Sequence, residues 1–130
     1  MLLFGHPYID FEPFYHIDEI ESIGLTPPNS TLYLRFKEEN LDIIRHMQHN
    51  GLSFALEAAD VSEVVFAHNL GASYIIVNEK LARSAQNVAE NYLFDAKILC
   101  RLEEGADLKE KIIEGIDGAI FPEAIVKISG

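Results

Sequence analysis

The chain has 130 residues, the size of one domain, and 48% apolar with 24% charged residues suits a folded core rather than disorder. Twenty-one acidic residues oppose ten basic ones, a formal charge of −11, which repels phosphate backbones and anionic lipid and argues against nucleic acid and membrane partners.

The lone Cys100 excludes an internal disulfide and a cysteine zinc cluster, and its place in the apolar run Lys97-Ile98-Leu99-Cys100 predicts a buried, inert thiol. The opening Met1-Leu2-Leu3-Phe4 has no basic region and soon meets Asp10 and Glu12, so it does not read as a signal peptide. No apolar run reaches the length of a membrane span, and the expected location is the cytoplasm.

Residues 1–30 form an aromatic-rich segment, with Phe4, Tyr8, Phe11, Phe14 and Tyr15 interrupted by Pro7 and Pro13. Such a density of rings predicts a segment wrapped onto the domain and packed there; a ligand lid or a dimerisation arm is the sharper alternative. Phe14–Ile17 reads as a strand, Asp18–Ile23 as a short helix, and Pro27-Pro28-Asn29 as a turn.

From residue 31 the chain repeats. Strands are predicted at Thr31–Phe36, Ser53–Glu57, Ser73–Val77, Lys97–Leu102 and Gly118–Phe121, with starts recurring every 20 to 24 residues. These are continuous apolar runs, as parallel strands covered on both faces require. Helices lie between them. Asp60 with Glu63 and Asp107 with Glu110 have capping-box spacing, Asn78 precedes a third helix, and Leu81, Ala85, Val88, Ala89 and Tyr92 form an apolar stripe. Gly51, Gly71 and Gly115 each stand where a helix ends and a strand follows, the place of a left-handed cap.

The fold class is therefore α/β: one domain over 1–130, a mostly parallel sheet of five or six βα units. The favoured architecture is a flavodoxin-like open three-layer sheet, because it closes its own core; the alternative is a half TIM-barrel. Either places all strand C-termini on one edge, where α/β folds bind ligands. Residues at that edge are Arg35, Lys37, Glu57, Asn78, Arg101 and Glu123. Arg101 follows an apolar strand and needs an anion, either Glu57, Glu123 or a ligand. Asn78 reads first as a helix cap. Glu57 and Glu123 could form a carboxylate pair for acid–base work.

No metal site is expected. His46 and His49 share a helix face but have no acidic third ligand, and His6, His16 and His68 belong to no motif. No dinucleotide fingerprint, phosphate loop, zinc helix or nucleophile elbow occurs, and no cofactor is expected. A phosphorylated receiver would need acidic residues after an early strand, a phosphoacceptor Asp where Asn78 stands and Lys-Pro where Phe121-Pro122 stands.

Gly115-Ile116-Asp117-Gly118-Ala119-Ile120-Phe121-Pro122-Glu123 resembles the closing strand of TIM-barrel enzymes such as glycerophosphodiester phosphodiesterases, whose early His-Arg pair and metal-binding acids are absent here. Leu70-Gly71-Ala72-Ser73-Tyr74-Ile75-Ile76-Val77-Asn78 resembles a generic barrel phrase. Both imply βα packing and carry no catalysis. The whole chain also resembles a small bacterial family of uncharacterised βα-repeat proteins, and no activity comes with that resemblance.

Three functions are compatible with these residues. The first in rank is a non-catalytic interaction or scaffold domain forming a homodimer through the aromatic segment and exposed sheet or helix faces. The second is a binder of a small anionic metabolite, using Arg101 with Arg35 or Lys37; the third is a small enzyme using Glu57 or Glu123 as acid or base. The third ranks last because no catalytic motif is present.

Overall fold

A computed structural model describes residues 1–128, in the order β1 (Leu2–Phe4), β2 (Phe14–His16), β3 (Thr31–Arg35), α1 (Leu41–His49), β4 (Phe54–Glu57), α2 (Val61–Asn69), β5 (Tyr74–Val77), α3 (Glu79–Asn91), β6 (Lys97–Arg101), α4 (Lys109–Glu114), β7 (Gly118–Ile120) and β8 (Ile125–Lys127). Short 3-10 helices cover Ile20–Leu25, Glu38–Asn40 and Pro122–Ala124. No helix among the described residues is long and apolar enough to cross a membrane.

Each boundary has a local cause. Asp60 accepts from the Glu63 backbone N–H at 2.9 Å while Glu63 reaches back to the Ala59 N–H at 2.8 Å, and Asn78 accepts from the Leu81 N–H at 2.9 Å. Asp107 caps differently from its predicted box: it accepts from the Lys109 N–H, one position before Glu110. Gly51, Gly71 and Gly115 have φ of +64°, +94° and +76° and end α1, α2 and α4 as expected. On α3 the buried face is Ala82, Ala85, Gln86 and Ala89, while Tyr92 is exposed; the apolar stripe is rotated from the predicted one.

All strand pairs are parallel, in the order β1-β7-β6-β5-β4-β3-β2-β8. From β2 to β7 each strand lies beside its predecessor, so the winding never reverses. Right-handed crossovers then place every helix on one face. A flavodoxin-like sheet needs a reversal to put helices on both faces. The sheet instead curls, and the half-barrel alternative describes it.

Strand alternation sorts the side chains. Leu32, Leu34, Phe54, Leu56, Ile75, Val77, Ile98 and Cys100 pack outward beneath the helices with Ile44, Met47, Val64 and Ala85. Phe14, Tyr33, Ala55, Ile76, Leu99 and Ile120 pack together on the concave face. Both faces are buried, which is why the strands read as unbroken apolar runs.

The aromatic segment does more than pack. It contributes β1 and β2, and Phe4 and Phe14 meet with ring centroids 4.9 Å apart, each also against Tyr74 at 5.6 and 5.2 Å. The predicted Asp18–Ile23 helix is the 3-10 helix Ile20–Leu25. Strands β7 and β8 are separated only by Phe121–Ala124, although β7 lies beside the end strand β1 and β8 is the strand at the other end of the order. Gly5, with φ +89°, lies against Ala124 there; a Cβ would stand 3.0 Å from the Ala124 nitrogen. The curl thus brings its own ends together around a core of rings.

Candidate functional site

The side chains at the concave C-terminal mouth follow from the same alternation. Two positions past Ala55 comes Glu57; past Leu99 comes Arg101; past Tyr33 comes Arg35; past Phe14 comes His16. The apolar core therefore ends in a polar layer. Arg101 Nη1 lies 2.5 Å from Glu57 Oε1 and 3.3 Å from the Tyr33 hydroxyl, and that hydroxyl donates a short hydrogen bond to the same carboxylate oxygen. Arg35 Nη2 approaches Glu57 Oε2 at 3.8 Å, and register places Arg35 directly beside Glu57. Glu57 is nearly enclosed, its side chain 14% exposed, whereas Arg35 is 65% exposed.

His16 completes the layer. Its ring meets Tyr33 edge-on at 4.9 Å, and Lys127 stands beside it by register on β8. Lys127 Nζ donates to Asp18 Oδ1 at 2.6 Å, and His16 Nε2 is 3.7 Å from that oxygen. Burial, then the charges of Lys127, Arg101 and Arg35, hold the imidazole pKa below its ordinary 6.5 against the opposing pull of Asp18. Burial and the bond to Glu57 push the Tyr33 phenol up to about 12. The hydrogen bond from Lys127 lowers the Asp18 carboxyl.

Neither protein-family models nor curated proteins match this chain. The site must be read from its own chemistry.

Of the residues expected at this edge, Arg35, Glu57 and Arg101 come together. Lys37 is exposed and acts on the mouth through the charge of Asp18. Asn78 is spent as the cap of α3. Glu123 is exposed and lines a separate cleft of about 340 Å³ with His6, Tyr8, Glu104 and Phe121; Glu57 is absent from that cleft, so the two carboxylates do not form a pair. Reasoning from sequence missed Tyr33, His16, Asp18 and Lys127. Tyr33 and His16 were legible in principle, because each stands on the concave parity of its strand; Lys127 was not, since β8 is a three-residue strand without a turn signal.

A larger hollow of about 880 Å³ lies at the opposite end, between Leu2, Phe11, Pro13, Pro27 and Tyr74. It is lined by no Lys, Arg or His side chain, and its ionisable side chains besides Tyr15 and Tyr74 are Asp10 and Glu12. That hollow therefore offers an anion no cationic side chain.

Proposed function

We propose that this chain binds a small anionic ligand, bearing phosphate or carboxylate, at the C-terminal mouth of the curled sheet. One observation carries the reading: Arg35, Arg101 and Lys127, from three different strands, gather around half-buried His16 in a chain whose net charge is −11. Three of the ten Lys and Arg side chains stand at this one strand edge, where they share two carboxylates, Glu57 and Asp18. Arg35 is the free hand: exposed, only loosely held by Glu57, and able to swing onto an incoming oxyanion with bidentate geometry. Arg101 is the fixed one, oriented by Glu57 and Tyr33. With both oxygens of Glu57 facing guanidinium groups, the carboxylate serves to orient cations rather than to move protons. We assign it no acid–base role.

The test is thermal melting with phosphate, sulfate and citrate at constant ionic strength. A ligand present at a hundred times its dissociation constant adds about 2.7 kcal/mol, a rise of several degrees. Arg35→Ala keeps the Arg101–Glu57 pair and should abolish most of the rise. A flat response across the panel contradicts the reading.

The interaction-domain reading is supported by a different observation. Ile112 and Ile113 on α4 are 56% and 85% exposed, and Tyr92 and Leu93 after α3 are 73% and 85% exposed. Homodimer formation is the corresponding proposal, and sedimentation of the full chain against Ile113→Glu tests it: a monomer at all concentrations removes it.

A further inference from the structure

We infer that an anion seated in this mouth is bound together with a proton on His16, so that the site is selective for dianionic oxyanions and strongest in mildly acidic solution. The inference rests on the anion-binding reading of the same site.

The geometry around His16 gives the reason. The half-buried ring on β2 faces Tyr33 and Arg35 from β3, Arg101 from β6 and Lys127 from β8. Among the described residues Asp18, on the loop that follows β2, is the carboxylate within 4 Å of its Nε2, at 3.7 Å, and Lys127 already occupies that carboxylate at 2.6 Å. Lys37 acts on Asp18 in turn, and Glu57 from β4 is engaged by Arg101 and Tyr33. Burial and the three cations facing the ring, against the shared carboxylate of Asp18, disfavour a proton on the imidazole. An oxyanion between Arg35, Arg101 and Lys127 reverses that balance. An opposite charge within about 4–6 Å favours the charged form of a titrating group by a pK unit or more. His16 then takes a proton and can donate to the ligand, adding a positive charge that a dianion exploits more fully than a monocarboxylate. By linkage, the ligand favours the proton and the proton favours the ligand by the same factor.

Sulfate is the suitable probe, because it stays a dianion throughout the range while phosphate itself titrates. Calorimetric titration of the full chain at about pH 5.5 and about pH 7.5, at fixed ionic strength, should give roughly tenfold tighter binding at the lower pH. Repeating it near pH 6.5 in two buffers of different ionisation heat should reveal net proton uptake, and His16→Gln should lose both effects. The proton resonance of the His16 ring in the unsubstituted chain provides a check that needs no variant: its midpoint lies below 6.5 without sulfate and rises when sulfate is added. Equal affinity at both pH values, or a pH response retained in His16→Gln, overturns the proton coupling alone. Absence of sulfate binding at every pH overturns it together with the anion-binding reading.

Discussion

Arg101 on β6 and Glu57 on β4 lie 44 residues apart, yet their side chains meet at 2.5 Å across the intervening strand β5. The Glu57 side chain is 14% exposed and the Arg101 side chain 35%, so the pair is partly desolvated but open to solvent on one side. Removing one partner strands the other, which costs about 3–5 kcal/mol in a fully buried pair. The exposure of Arg101 reduces that figure. Arg101→Ala and Glu57→Gln should each destabilise the fold by about 2 kcal/mol in urea, and the double variant by clearly less than their sum. Additive losses would mean that the pair contributes nothing as a pair.

Gly118 is where β7 fits between β6 and β1. A Cβ there would stand 2.6 Å from Leu99 Cδ2 and 2.7 Å from the Leu2 carbonyl oxygen, and the second of these is backbone that cannot turn aside. Gly118→Ala should therefore cost about 1–3 kcal/mol through overpacking and loosen β1. Gly115→Ala meets open space and strains only its φ of +76°, for about 1 kcal/mol. Urea midpoints of the two variants should fall in that order.

Cys100 is fully buried beneath the helices, and burial raises its thiol to about 11. The thiolate is the reactive form. A disulfide reagent at neutral pH should leave native protein untouched and label it at the rate of global unfolding. Rapid labelling of the folded chain would show that the region between β6 and α4 opens locally.

The depressed His16 sets a pH dependence of stability. In the unfolded chain the imidazole titrates near 6.5; in the folded chain it titrates lower, so below 6.5 the unfolded state binds more protons. Its contribution is complete above 6.5 and is lost as pH falls through the folded value. His16→Gln should flatten this part of the stability curve in the absence of ligand. At the alkaline end Tyr33, raised to about 12 from 10, supplies stability that is lost as pH rises above 10; absorbance at 295 nm should lose its late-ionising component in Tyr33→Phe.

The βα repeat was legible because its signals are local. Asn78, Asp60, Gly51, Gly71 and Gly115 each act on a backbone group within a few residues, and the five apolar runs became β3 to β7 within a residue or two. The choice between open sheet and curl was not local: it depends on whether strand order reverses, and identical βα units serve both windings. The strands at the ends of the order escaped for a related reason. Leu2–Phe4 and Ile125–Lys127 have three residues each and become strands only because β7 and β2 offer them an edge. At the site, Arg101 announced itself as a charge closing an apolar strand, and its pairing with Glu57 was among the expected outcomes. The separation of Glu57 from Glu123 could not be foreseen, because Pro122–Ala124 turns Glu123 out of the mouth into another cleft.

The most direct measurement is a phosphate titration of isotopically labelled protein, followed residue by residue through its backbone amide resonances. Saturable shifts centred on His16, Tyr33, Arg35, Glu57, Arg101 and Lys127, and weakened in Arg35→Ala, are the predicted result. Shifts that do not saturate, or that centre on the cleft at Glu104 and Glu123, would contradict an anion site at the mouth of the sheet.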